Sequence, residues 1–332
     1  MTPAIAVEHL VKRYPRGRAN AIDDVSFSVR RGETFGLLGP NGAGKTTAIG
    51  ILTTRVLPTG GTATVAGVDV VADPIATKRR IGVVPQIPNL DRSLRVVEIL
   101  TYHAAYHGVP RRERSARARA LLDDLGLGER AKEKLDWFSG GLQQRVMLGR
   151  ALMHEPEVLF LDEPTNNLDP QTRLFLWERI RALHDRGVTI VLTTHDMEEA
   201  DRLCDRIAIM DRGRIVALDT PDGLRRLIPG GTMLETRVRV PETVPAGAVP
   251  SEGDGTIQAA LEALPGVTAV EQRAGAPDAL VYRLYATGDT GQLLAATARA
   301  VVAEGAELLD LRFARPTLED VFIHLTGSNL RS

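Results

Sequence analysis

The sequence predicts an α/β protein of two domains, and three observations carry that prediction. Short apolar runs alternate with helical patterns from Ala4 to about Leu218. Several of these runs, "TFGLLG", "VLFLDEP" and "TIVLTTH", are apolar without alternation, as in strands covered on both faces. After "TPDGLRRLIPGG" the texture changes, and a second series of strands and helices begins.

Taken in order, "AIAVEHL" is the first strand, followed by "TFGLLG", "IGVVPQ", "VLFLDEP", "TIVLTTH" and the long run "RIAIMDRGRIVAL". Helical patterns lie between them. "RSARARALLDDLG" is one, and "TRLFLWERIRALHDRG" spaces its apolar residues by three and four and stops at a glycine. "FSGGLQQR" places a serine and two glycines at a further helix start, an arrangement suited to phosphate. The first domain is expected over residues 4–228 and the second over 229–332. The second reads strand "MLETRVRV", helix "TIQAALEAL", strands "VTAVEQR" and "ALVYRLYAT", helix "DTGQLLAATARAVVAEG" and strand "AELLDLRFA". That βαββαβ order is the ferredoxin-like α+β pattern. A closing helix, "PTLEDVFIHLTG", has Pro316 placed to start it, and the Pro- and Gly-rich residues 241–255 read as a flexible insertion.

Composition narrows the classes. The 332 residues are 43% hydrophobic and 25% charged, with Lys+Arg 41 against Asp+Glu 42. A near-zero net charge without long charge blocks argues against nucleic acid as a partner. The one cysteine, Cys204, forms no internal disulfide, as suits a reducing cytosol. No leader is read ahead of the first strand, and no apolar run approaches the ~18–20 residues that span a bilayer. Any membrane role is therefore expected to come through a partner.

The strongest chemical signal is "GPNGAGKT", which follows a strand and precedes a helix, as a phosphate loop must. Gly39, Pro40, Asn41, Gly42, Ala43 and Gly44 are expected to form the nucleotide-binding loop, whose glycines let backbone N–H groups converge on the β-phosphate. Lys45 reaches the β- and γ-phosphates, and Thr46 ligates Mg²⁺, with Thr47 closing the loop. "VLFLDEP" ends an apolar strand in two acids. Beside a phosphate loop, Asp162 serves the Mg²⁺ shell and Glu163 is left to polarise the attacking water. Alone, the same pair would be an ordinary strand-end turn.

The phosphate loop, "FSGGLQQR", "LFLDEP", "NNLD" and "TTHD" stand in the order and approximate spacing of ABC-transporter ATPase subunits, and residues 4 to about 225 resemble that family. The resemblance implies a P-loop ATPase domain with a helical subdomain carrying the signature motif, ATP and Mg²⁺ as cofactors, and a head-to-tail dimer. In it Tyr14 matches the aromatic that stacks on adenine, and Gln86 the glutamine that contacts Mg²⁺. Ser139, Gly140 and Gly141 match the signature that closes over the partner's ATP. Asp169 matches the aspartate after the catalytic strand, and His195 the switch histidine at the γ-phosphate. Without the family, Tyr14 would read as a half-buried aromatic and His195 as a strand-end residue. His184 and Cys204 have no constellation and read as structural.

One copy of each motif implies a second ATPase subunit from another chain, a homodimer, acting on a separate permease at the cytoplasmic side of the membrane. Three positions depart from the usual pattern: Phe138 and Leu142 flank the signature, and Asn167 stands where glycine is usual. Asparagine tolerates left-handed backbone, so that turn is expected to survive. The tail resembles ATPase subunits of daunorubicin-type drug exporters. An importer ATPase with a regulatory tail, a ribosome- or DNA-acting ABC ATPase and a P-loop kinase are the alternatives. The absence of a second ATPase domain or an inserted coiled coil disfavours the second, and the signature disfavours the third.

Overall fold

The computed structural model describes residues 2–15, 17, 19–228, 232–239, 253–273, 279–287 and 290–327. Strands β1 (Ile5–Lys12), β2 (Ile22–Val29) and β3 (Thr34–Leu38) lead into helix α1 (Lys45–Leu52). Then come β4 (Gly60–Val65), β5 (Val68–Asp69), α2 (Pro74–Arg80), β6 (Ile81–Val84), α3 (Val96–Tyr106), α4 (Arg111–Asp124) and α5 (Gly140–Leu152). β7 (Val158–Asp162), α6 (Pro170–Asp185), β8 (Thr189–Thr194), α7 (Met197–Leu203), β9 (Arg206–Asp211), β10 (Arg214–Asp219) and α8 (Pro221–Arg225) follow. The chain divides into two compact units, the first ending at Pro221 and the second Asp222–Gly327. The division falls a few residues ahead of the boundary expected after 228.

The first unit contains two sheets. An antiparallel sheet has the order β2-β1-β4-β5, and a six-stranded sheet the order β10-β9-β3-β8-β7-β6. From β9 to β6 that second sheet is parallel. All residues of β3, β7 and β8 are buried, which is why their sequences run apolar without alternation. The run "RIAIMDRGRIVAL" is two strands and not one. Arg212 and Gly213, with φ of 46° and 80°, make a two-residue turn whose twist matches a hairpin.

Helix starts follow from their caps. The Asp169 side chain accepts from the Thr172 N–H at 2.9 Å and begins α6, and Asp73 does the same for α2 through Ala76. Cys204 is buried with its sulfur packed against Gly36, where a Cβ would lie 2.7 Å from it. Burial raises its thiol pKa well above the ordinary value, so the group is chemically quiet. His184 does have a partner, Asp205, 3.1 Å from Nε2.

The second unit has the order β11 (Thr232–Arg239), α9 (Gly253–Glu262), β12 (Val267–Arg273), β13 (Leu280–Ala286), α10 (Thr290–Ala303), β14 (Glu307–Ala314) and α11 (Leu318–Thr326). The antiparallel sheet order is β12-β13-β11-β14, so each βαβ crossover skips one strand, and the βαββαβ order read from the sequence is present. Of the expected insertion, residues 241–252 lie outside the described residues, and 253–255 already belong to α9. Pro316 precedes α11 without starting it. A capping box starts it instead: Thr317 accepts from the Asp320 N–H, and Asp320 from the Thr317 N–H at 2.7 Å. Arg283 of β13 ties the sheet to this helix, donating to Glu235 at 2.9 Å and Asp320 at 2.8 Å.

Candidate active site

Four neighbouring parallel strands end at one edge, and each hands the chain to a predicted segment. β3 leads to the loop Gly39–Gly44, β8 to His195, β7 ends in Asp162 and Glu163, and β6 leads to Gln86. Ligands of open α/β sheets bind beyond such carboxyl ends.

The loop's glycines have steric reasons. Gly42 and Gly44 have φ of 83° and 105°, a region that favours glycine. A Cβ on Gly44 would come 2.5 Å from the Ala21 carbonyl oxygen, and one on Gly39 would run into that of Met210. Lys45 is buried, and its Nζ donates to the Gly39 carbonyl at 2.6 Å and the Pro40 carbonyl at 3.0 Å. Its Nζ also stands 3.6 Å from Glu163 Oε1. Burial pulls the ammonium pKa down, and the charges of Glu163 and Asp162 oppose that pull.

The sheet register sets Asp162 beside Thr193. Asp162 Oδ1 accepts from Thr193 Oγ1 at 2.6 Å and from Thr46 Oγ1 at 3.4 Å. The Thr46 hydroxyl and the Asp162 carboxylate thus offer adjacent hard oxygen donors, which fits a small divalent cation such as Mg²⁺.

Glu163 is the centre of the arrangement. Its backbone sits at φ 47°, which costs a non-glycine residue about 1 kcal/mol or more. Its N–H is held by the Thr193 carbonyl at 3.0 Å and the Thr193 hydroxyl at 3.1 Å. Its Oε2 accepts from Gln86 Nε2 at 3.1 Å and Asn166 Nδ2 at 3.0 Å, and lies 3.3 Å from His195 Nδ1. The carboxylate is therefore buried and surrounded by donors from four segments, one carrying full positive charge. A cavity of about 140 Å³ beside it is lined by Glu163, Asn166, Asn167 and His195, among others. Asn167 takes φ 58°, the left-handed turn expected of it. Asn166 and Thr193 open the "NNLD" and "TTHD" motifs, but the sequence reading gave neither a role. Their signal was only that Asn166 stands three residues after Glu163 and Thr193 two before His195.

Ser139 caps α5, accepting from the Leu142 N–H at 3.4 Å, so the signature does open a helix. Its two glycines differ. A Cβ on Gly141 would sit 2.5 Å from Thr172 Cγ2, so α5 and α6 pack too closely there for a side chain. A Cβ on Gly140 would meet nothing within 4 Å. Among the described residues, no hydrogen bond or ion pair joins 139–141 to 39–47. Asp169 accepts from Thr172 through both the N–H and the hydroxyl, at 2.9 and 2.7 Å, and those bonds hold its pKa below the ordinary carboxylate value.

Tyr14 is 42% exposed, with Lys12 Nζ 5.0 Å from its ring centroid. The exposed face leaves room for the nucleobase expected there from the sequence. Tyr14→Ala is expected to weaken ATP binding by about 1–3 kcal/mol, and GTP binding as much. Calorimetry giving an unchanged affinity would leave the ring a purely structural part.

Fold and site together define a phosphate-loop enzyme built to bind and hydrolyse ATP. A family model described as "ABC transporter" matches residues 22–166. The daunorubicin resistance ATP-binding protein DrrA2 of Streptomyces coeruleorubidus is 38% identical over 98% of this chain and 95% of its own length. The Nod factor export ATP-binding protein I of Ralstonia nicotianae is 38% identical over 99% of this chain and 96% of its own. Among solved structures, an ATP-binding subunit of an ABC transporter matches 68% of this chain and 93% of its own at 33% identity and a TM-score of 0.63. A dimeric cassette in a post-hydrolysis state with ADP and phosphate matches 65% and 98% at 27% identity and a TM-score of 0.60. The chain belongs to the ABC transporter family and is one of its ATP-binding, ATP-hydrolysing subunits.

Proposed function

We propose that this chain is the motor subunit of an exporter, closing as a homodimer around two ATP and driving a separate permease at the cytoplasmic side of the membrane. The cargo is a drug, antibiotic or lipid-like compound. The observation that carries this is the end-to-end match, second unit included, to proteins named for daunorubicin resistance, linearmycin resistance and Nod factor export. Among the described residues no helix is long and apolar enough to cross a membrane, in keeping with a motor that needs a permease.

In this reading Glu163 takes the proton of the attacking water, while Gln86, Asn166 and His195 fix the carboxylate that receives it. Lys45 leaves the Gly39 and Pro40 carbonyls for the phosphates. Thr46, Asp162 and Gln86 would hold Mg²⁺, which when bound offsets charge on the phosphate oxygens. Ser139, Gly140 and Gly141 serve the partner's nucleotide, and Asp169 holds the start of α6 against the signature helix.

The test is co-expression with a candidate permease in a host sensitive to daunorubicin and to linearmycin. Raised tolerance to either, lost with the Glu163→Gln form, is the expected result. Co-purification with a permease that accumulates an external solute inside the cell would overturn the export reading in favour of import.

A further inference from the structure

Away from the nucleotide site, three histidines meet. His103 and His107 lie one turn apart at the end of α3, and His154 follows α5. One ring nitrogen from each lies within 4.8 Å of the others. The His107 and His154 rings are stacked, 3.7 Å between centroids, and His103 lies 4.5 and 5.6 Å from them.

The hydrogen bonding around the group is one-sided. His154 Nε2–H donates to the Ile81 carbonyl at 2.8 Å, which leaves Nδ1 with its lone pair. That Nδ1 is buried and has no partner, and neither has His107 Nδ1. Buried polar atoms are almost always satisfied, so two unpartnered nitrogens in one cluster call for a ligand. A ring whose second nitrogen donates to a backbone carbonyl is also the usual support of a metal-bound histidine. Burial, with the neighbouring rings, pulls the pKa of both His103 and His107 down. The charge of Arg150, whose guanidinium donates to Asn89 at 2.7 Å, also acts on His103.

We propose that His103, His107 and His154 form a three-imidazole site for a divalent transition ion of the Zn²⁺ class. Neutral imidazoles suit zinc, nickel or copper, and a set without a carboxylate excludes Ca²⁺ and Mg²⁺. Tetrahedral ligands at about 2.0–2.1 Å from zinc stand roughly 3.4 Å apart. The nitrogens, within 4.8 Å of one another, therefore close by up to about 1.4 Å, through rotation of the His103 and His107 rings while His154 keeps its bond to Ile81. The bound ion would clamp the end of α3 to the segment after α5 and, through His154 and Ile81, to the first residue of β6, the strand that leads to Gln86.

The test uses the untagged full chain, stripped with chelator and free of nucleotide. Zn²⁺ titrated by calorimetry is expected to bind one per chain and to raise the melting temperature. Co²⁺ is expected to give the intense visible bands of tetrahedral nitrogen coordination. Replacing His103 and His107 by leucine, which preserves helix and bulk, should weaken Zn²⁺ by at least about a hundredfold, since even supporting residues are worth 10–100-fold. Wild-type protein that leaves Co²⁺ with its aqueous spectrum would overturn the site whatever the variants do. So would zinc affinity unchanged in the double variant.

Discussion

Glu163→Gln is expected to slow ATP turnover by about 10²–10⁴-fold, the usual worth of a general base, while ATP binding persists. The amide has the shape of the carboxylate and keeps an oxygen to accept from Gln86 and Asn166, which stand at 3.1 and 3.0 Å. The strained backbone, held by two bonds to Thr193, does not depend on the side chain. What the substitution removes is the ability to take a proton. ATP then stays uncleaved, and the protein should elute from a sizing column as a dimer when ATP and Mg²⁺ are present. Turnover near the wild-type rate would remove Glu163 from the role of base and leave it a structural partner of Lys45.

Lys45→Ala and Ser139→Arg are each expected to abolish turnover, and together to restore part of it. Lys45 gives the phosphates charge-assisted bonds of about 1.5–3 kcal/mol each, so its loss lowers ATP affinity by on the order of a hundredfold. It also strips partners from the Gly39 and Pro40 carbonyls inside the loop. Ser139→Arg puts a long charged side chain at an exposed helix start and removes a helix cap. A helix N-terminus acts on charge only within its first turn, so the signature can serve an ATP only at close approach. In a head-to-tail mixed dimer one composite site collects both lesions and the other is intact. Some ATPase activity should therefore return on mixing the two inactive proteins. Ser139→Ala is the comparison without added bulk, since it removes the hydroxyl, whose cap is worth about 0.5–2 kcal/mol. If mixing restores nothing while mixed dimers are seen by native mass spectrometry, the signature does not act across chains.

What the residues alone made legible was local. A phosphate loop needs its glycines, lysine and threonine within a few consecutive residues, because one tight turn must aim them all at one phosphate. Asp162 and Glu163 were legible for a similar reason, since an apolar run fixes where a strand ends. The βαββαβ order of the second unit was legible in the same local way. The hairpin inside "RIAIMDRGRIVAL" was hidden because its turn is only two residues long and its flanks are equally apolar. Only tertiary structure decided what surrounds Glu163. Lys45, Gln86, Asn166 and His195 belong to four segments, and they converge because β3, β8, β7 and β6 lie side by side and end at one edge. It also separated the two signature glycines, one required by Thr172 of a neighbouring helix and one with nothing beside it. The His103–His107 spacing was in the sequence all along, one helical turn apart. The third ring, His154, is nearly fifty residues away in the chain, and packing of α3 beside α5 is what brings it there. Order along a strand or turn is written in the chain, whereas contacts between segments depend on strand order, which no local pattern encodes.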